Sequence, residues 1–299
     1  FWDNIGPFRV SKEVEPGIPL DIPILSERLK ELGYVCGLFG KTHEGDSEEM
    51  MAFNRWDKFF GFNNGASNYL PGMNRDHNPI FHNQKIINQS YEKNGISRDE
   101  INHKGVLQID RKQYLTDLIA DYTLSFIEEN RDRPFLCYLP FNAIHGPFQA
   151  PKDLYEKYAS EKNHQRRLNM AMLDSMDQNI GRVLKTLKKL DLEKDTLVIF
   201  LSDNGGHEAS PNLPLRGKKA TYWEGGIRVP FCLKWPGRLE AGQVYRKPVI
   251  SLDLLPTLVQ AAGASIDPSW ELAGVDLIPY PSDPRHAPPH TLLHWPWGS

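Results

Sequence analysis

Short, almost wholly apolar runs alternate with amphipathic helical patterns along this chain, and few folds accommodate that alternation. Leu25, Leu29 and Leu32 step along one face of a helix that Gly33 stops, and an apolar run over 34–39 follows. A second helix is read over 114–129, and after Arg133-Pro134 comes an apolar run over 135–141 suited to a buried strand. Leu168, Met172, Met176, Ile180, Leu184 and Leu187 carry one apolar face through a long helix, and 196–201 reads as another buried strand. A last amphipathic helix spans 252–262, before a turn-rich stretch over 279–289. Strands without polar alternation need cover on both sides, so the pattern predicts an α/β layered fold with helices on both faces of its sheet.

At 299 residues the chain can bury a sizeable core, as one large domain or two ordinary ones, without a disulfide scaffold. Hydrophobic residues at 40% and charged residues at 24% exclude a disordered or low-complexity chain. Its 35 basic and 38 acidic side chains leave a formal charge of −3, so no global field recruits nucleic acid or an anionic membrane. Any anion must be bound by a local site. No apolar run reaches the roughly 18 residues of a membrane helix, and no basic-then-apolar signal pattern opens the chain. Cys36, Cys137 and Cys232 are odd in number and widely spaced, which reads as buried thiols rather than a disulfide framework or a zinc knuckle.

Between 61 and 112 the pattern weakens, and asparagines are scattered among glycines and short apolar pairs. Such a polar insertion is expected to form surface loops that shape a binding mouth. The chain starts at Phe1 and stops at the aromatic-rich His294-Trp295-Pro296-Trp297-Gly298-Ser299, which reads as a strand entering a core. The expectation is a piece of a longer chain.

Four polar clusters stand where strands end, the position at which open α/β sheets place ligand crevices. Gly40-Lys41-Thr42-His43-Glu44-Gly45 sets a cation and an imidazole two residues apart among glycines, as a solvated surface turn also would. In Phe141-Asn142-Ala143-Ile144-His145-Gly146-Pro147 an apolar strand runs into a histidine stiffened by Pro147 and Pro151. That histidine is either projected from a rigid ledge or simply satisfied at a strand end. Ser202-Asp203-Asn204-Gly205-Gly206 offers the hard oxygen ligands that Ca²⁺ or Mg²⁺ takes, and reads equally as a plain Asp-Asn-Gly turn. The fourth cluster, over 215–230, gathers Arg216, Lys218 and Lys219 in a glycine-rich loop able to hold a tetrahedral oxyanion. A solvated basic loop is the alternative, against which Trp223 and Phe231-Cys232-Leu233 argue for partial burial.

In this order the clusters resemble the sulfatase family of the alkaline-phosphatase superfamily, especially its bacterial arylsulfatase-like and N-acetylhexosamine-sulfatase-like members. Gly40-Lys41-Thr42-His43 is similar to the family's Gly-Lys-Trp-His-x-Gly, with Thr42 in place of Trp and Glu44 in place of Leu. Residues 141–151 resemble His-x-Pro-x-x-x-Pro, and Ser202-Asp203-Asn204-Gly205 matches Ser-Asp-Asn-Gly. Residues 215–230 resemble Arg-Gly-Gly-Lys-x-Thr-x-x-Glu-Gly-Gly-x-Arg-Val-Pro, with Lys218 where glycine is usual. Leu252-Asp253-Leu254-Leu255-Pro256-Thr257 matches a further family segment. The resemblance implies a catalytic-domain fragment over 1–299, truncated at both ends, with a mixed, mainly parallel central sheet and helices on both faces.

It also implies roles. Asp203 and Asn204 bind a divalent cation, usually Ca²⁺, with Mg²⁺ an option, while Lys41, His43, His145 and Lys219 surround the sulfate. The family nucleophile is a formylglycine hydrate made from Cys or Ser in a Cys/Ser-x-Pro-x-Arg motif. His145 would protonate the leaving oxygen, and His43 would help deprotonate the second hydroxyl so that sulfate is expelled; an imidazole suits both tasks. The implied substrate is a sulfated carbohydrate or aryl sulfate, with neither nucleic acid nor membrane as partner, and relatives are commonly exported to the periplasm or cell exterior.

The pattern breaks at the nucleophile. None of the three cysteines lies in the motif, Ser282-Asp283-Pro284-Arg285 has the wrong spacing at the wrong end, and no Asp-Asp pair supplies two further metal carboxylates. Either this sequence is the interior of a sulfatase, or it is a non-catalytic homologue that holds a sulfated glycan or another anion. A phosphoester or phosphonate hydrolase of the same superfamily is a third option. On the first reading the 299 residues alone turn over little ester and bind calcium poorly.

Overall fold

The computed structural model describes residues 18–42, 52–63, 65–70, 79–87, 105–207, 209–282 and 288–293. The first strand, β1 (Val35–Lys41), sits inside a five-stranded sheet. It pairs in parallel with β2 (Lys58–Phe62) on one side and with β6 (Phe135–Tyr138) on the other. Short antiparallel strands β3 (Phe81–His82) and β4 (Lys85–Ile86) extend the sheet beyond β2, giving the order β4-β3-β2-β1-β6. Two smaller pairs stand apart: β5 (Val106–Leu107) with β7 (Ala150–Pro151) in parallel, and β8 (Val198–Leu201) with β9 (Phe231–Lys234) antiparallel.

The pleat decides what each face of the large sheet meets, because successive side chains point to opposite sides. Phe39, Phe60 and Phe62 point to one side, where they pack with helix Leu115–Glu129 through Leu115, Ile119, Phe126 and Ile127. Cys36, Leu38, Phe59 and Phe81 point to the other, against Leu29 of α1 (Leu25–Lys30) and Val259 of helix Leu254–Ala261. The mixed sheet therefore carries helices on both faces. Helix α1 ends at Lys30, ahead of the stop read at Gly33. Gly33 adopts φ +82°, and the bonds from Gly33 N to Lys30 O (2.9 Å) and from Tyr34 N to Leu29 O (3.1 Å) cap the last turn. Leu32, expected on the apolar face, lies beyond this helix in the turn and is 39% exposed.

The long helix runs over His164–Lys189, with the Asn163 side chain accepting a bond from Arg166 N as its N-cap. Its buried face is less apolar than the sequence suggests. Leu168, Met172 and Leu187 are buried, whereas Met176, Ile180 and Leu184 are only partly so, and Ser175 and Asn179 are buried between them. These two polar residues belong to a network with helix Leu115–Glu129. Asn179 Nδ2 donates to Asp117 Oδ1 (2.6 Å), and Arg111 donates both to Asp117 and to Ser175 Oγ. A buried carboxylate is tolerated here because each oxygen meets a donor.

Three further expectations are corrected. The 61–112 segment is no mere surface loop, since Tyr69, Leu70, Ile80 and Leu107 are fully buried and the segment adds β3, β4 and β5. Apolar residues hidden among its asparagines mask that role in the sequence. Strand β8 is not wholly buried: Phe200 is 39% exposed, because β8 pairs only with β9 among the described residues. Of the thiols, Cys36 is buried and Cys137 partly so, but Cys232 alternates outward on β9 and is exposed.

Met172, fully buried at the centre of a cluster with Tyr69, Tyr114, Leu154 and Leu168, tests this packing. Met172→Ala is expected to destabilise the fold by about 2–5 kcal/mol in denaturant unfolding, and a change below about 1 kcal/mol would contradict the assigned core.

Candidate active site

Three of the sequence clusters leave strands at their C-terminal ends. Lys41 is the last residue of β1, His145 follows β6, and Asp203 and Asn204 follow β8. Thr42 anchors the end of β1: its N–H donates to Phe62 O (3.1 Å) and its hydroxyl to Asn63 Oδ1 (2.6 Å). Thr42 is thereby bonded to the last residue of β2 and to the residue after it. His43 lies outside the described residues.

The His145 ledge is built from below. Its own N–H bonds to Asn142 O (3.0 Å), and the fully buried Tyr69 hydroxyl lies 2.8 Å from both Asn142 O and His145 O. Tyr69 N is in turn held by Gln149 Oε1 (2.8 Å). Ala143, Ile144 and Phe148 pack on the same cluster as Tyr69. His145 Nδ1 sits 2.8 Å from Gly146 O. A carbonyl can only accept, so Nδ1 carries the proton and the neutral ring presents Nε2 as its lone pair. Asn142 is buried with Nδ2 unpartnered among the described residues, while its Oδ1 accepts from Thr116.

The third and fourth clusters are zipped together by backbone bonds. Gly205 N donates to Gly226 O (2.9 Å), Lys219 N to Gly206 O (3.0 Å), and Gly225 N to Arg216 O (2.7 Å). Asn212 clamps Gly206 from both sides, accepting from its N–H (2.7 Å) and donating to its carbonyl (2.9 Å). A Cβ on Gly205 would lie 1.8 Å from Gly225 O, so this crossing admits only glycine. The two loops therefore act as one body, which carries Asp203 and Lys219 together.

The charges of four of the predicted residues bear on one another. Lys41 is pulled below its usual range by burial first and by Lys219, against the opposing pull of Asp203. The ring of His145 is open to solvent on one side, yet its pKa is lowered, by burial of the remainder and then by Lys219 and Lys41; Gly146 O and Asp203 oppose the shift. Lys41, His145, Asp203 and Lys219, distant in sequence, thus share one electric field. Lys219 is half-buried and its neighbour Lys218 exposed. Trp223 is 52% exposed, more than the sequence suggests, with the Arg216 guanidinium stacked 3.7 Å from its ring centroid.

For the expected cation the described residues offer Asp203 and Asn204 as oxygen donors. Asp203 is exposed, Asn204 is half-buried, and no group of three His, Cys, Asp or Glu residues placed to hold a metal exists among the described residues. Two oxygen donors suit Ca²⁺ or Mg²⁺ in kind but fall short of the roughly six to eight that Ca²⁺ takes. The described residues alone do not make the centre. Burial pushes the Cys36 and Cys137 thiols up to about 12, which leaves them inert near neutrality.

The sulfatase family model matches residues 3–264. Arylsulfatase J of Mus musculus is 32% identical over 282 residues, covering 93% of this chain and 45% of the mouse protein. N-acetylgalactosamine-6-sulfatase of Canis lupus familiaris is 28% identical over 279 residues, 90% of this chain and 50% of its own length. The crystal structure of Ps i-CgsB in complex with k-i-k-neocarrahexaose superposes with a TM-score of 0.77 at 29% identity, covering 89% of this chain and 59% of that one. The chain belongs to the sulfatase family, and it spans about half the length of the two relatives named.

The field on His145 can be measured directly. A histidine that disfavours its cation when folded contributes destabilisation as pH falls below the usual value near 6.5, because the unfolded chain then binds more protons. In an NMR titration the His145 midpoint is expected below that value and should move upward in Lys219→Ala; an unshifted midpoint in the variant would separate the two residues.

Proposed function

We propose that the whole protein is a sulfuric ester hydrolase whose sulfate pocket is formed by Lys41, His145 and Lys219 beside Asp203. One observation carries this reading: Lys41 at the end of β1, His145 after β6 and Lys219 on the loop bonded to Gly206 bear on one another electrostatically, with Asp203 the carboxylate among them. An anion is the ligand such an arrangement favours, and a tetrahedral one can meet both lysines at once.

The residues divide the work by position. Lys41 and Lys219 hold sulfonyl oxygens and oppose the charge that develops on them, and their partial burial strengthens that effect. His145 keeps Nε2 as the nitrogen not bonded to Gly146 O, and from there its protonated form delivers a proton to the departing alkoxide oxygen. His43 takes the second proton-transfer role implied by the resemblance. Asp203 and Asn204 supply one edge of a Ca²⁺ or Mg²⁺ shell, and a cation held there would add Lewis acidity at the sulfate. On this reading the formylglycine-forming segment and the missing metal carboxylates belong to a longer chain, and these 299 residues by themselves have little turnover.

Relatives bear on the substrate. The likeness to an N-acetylgalactosamine-6-sulfatase and to a structure holding a neocarrahexaose supports a sulfated carbohydrate, while the similarity to Arylsulfatase J leaves an aryl sulfate as the second candidate.

The test is release of inorganic sulfate by the longer protein, measured against a phosphate ester of the same alcohol. Sulfate release is expected to exceed phosphate release, and Lys219→Ala should lower kcat/KM by about 10²–10³-fold. Faster phosphate release would move the protein to the phosphoester hydrolases, and sulfate binding without turnover would make it a non-catalytic anion binder.

A further inference from the structure

We propose that Trp223, with Arg216 stacked against it, is the wall on which the sugar ring of a sulfated saccharide rests while Lys219 holds its sulfate. The inference rests on the anion pocket above and assigns the part that receives the alcohol. Trp223 follows Lys219 by four residues on one loop, so their Cα atoms are at most about 14 Å apart at roughly 3.5 Å per residue. Inside the loop the chain is shorter than that, because Thr221 N bonds to Lys218 O (3.0 Å) and Thr221 Oγ1 to the same carbonyl (2.7 Å). A sulfated sugar spans this interval within one or two rings.

The ring is held rigidly. Gly225 N bonds to Arg216 O and Gly226 N to Trp223 O, each at 2.7 Å, so both partners of the stack are fixed to the same short helical turn, Glu224–Ile227. Gly217, at φ +89°, lets the chain pass so close that a Cβ there would lie 2.6 Å from Trp223 Cβ. Arg216 covers one indole face, 3.7 Å from the centroid, and half of the Trp223 surface remains open. Leu213 at 88% exposure and the exposed Tyr222 lie on the same segment. A loop that only needed solvation would not concentrate large apolar side chains beside two lysines.

The chemistry of that surface selects its ligand. An indole offers a wide, flat apolar area with two side-chain torsions to freeze, which matches the C–H face of a pyranose. Arg216 behind it adds positive charge and hydrogen-bond donors, which favour a saccharide carrying further sulfates. An unsulfated apolar ring would use the indole but gain nothing from the arginine.

Calorimetry on the 299-residue chain with inorganic sulfate and with a sulfated galactose hexasaccharide separates the claims. The wild-type chain is expected to bind the hexasaccharide at least about tenfold more tightly than sulfate. Trp223→Ala should bring the hexasaccharide down to the level of sulfate and leave sulfate binding unchanged, while Trp223→Phe keeps most of the gain. Should Trp223→Ala unfold, as read by circular dichroism, Trp223→Leu against Trp223→Phe asks the same question, and only the ring-bearing variant should retain the gain. Equal hexasaccharide affinity in the ring-bearing and ringless variants, equal loss for both ligands, or a wild-type chain that binds the hexasaccharide no more tightly than sulfate would overturn the inference. Absence of sulfate binding by the wild-type chain would instead overturn the anion pocket, and the sugar wall with it.

Discussion

Withdrawing the Lys41 ammonium group from water is costly, and the charges around it bear on that cost. Lys41 is partly withdrawn from water and repelled by Lys219, so its charged form is disfavoured; Asp203 offsets part of the penalty. A bound dianion would offset the rest. In the proposed pocket the Lys41 charge is thus disfavoured in a direction that the proposed ligand would relieve.

Holding those charges in place requires rigidity beneath them, and the fold supplies it in two ways. Lys41 ends a strand whose side chains alternate between two hydrophobic clusters, so it cannot shift register without exposing Leu38 or Phe39. Lys219 and Asp203 sit on loops joined by backbone bonds at glycine crossings, where no side chain could fit. His145 stands on Tyr69, which comes from a segment that is nearly featureless in the sequence.

The legible parts of the sequence were those with local causes. The helix before Gly33, the apolar strand read over 34–39 and the helix read over 114–129 are dictated within a few residues of themselves, and the structure has them at Leu25–Lys30, Val35–Lys41 and Leu115–Glu129. Lys41, His145 and Asp203 follow strands as expected, whereas Lys219 stands on the loop before Glu224–Ile227, and how these charges bear on one another depends on the fold. What stayed hidden depends on distant partners. The Arg111–Asp117–Ser175–Asn179 network replaces apolar packing in mid-helix, Tyr69 reaches across to the loop after β6, and Arg216 meets Trp223 by closure of a loop. No periodicity announces such pairs, because each side chain alone looks like a solvated polar residue or a core aromatic.

The shared pocket is tested most directly by diffraction from crystals soaked in selenate, a sulfate mimic with its own anomalous signal. The expected result is a selenium peak with oxygens within about 3 Å of Lys41 Nζ and Lys219 Nζ and with His145 Nε2 facing it. Selenate bound elsewhere, or the two lysines pointing to different surfaces around an empty cleft, would contradict the account.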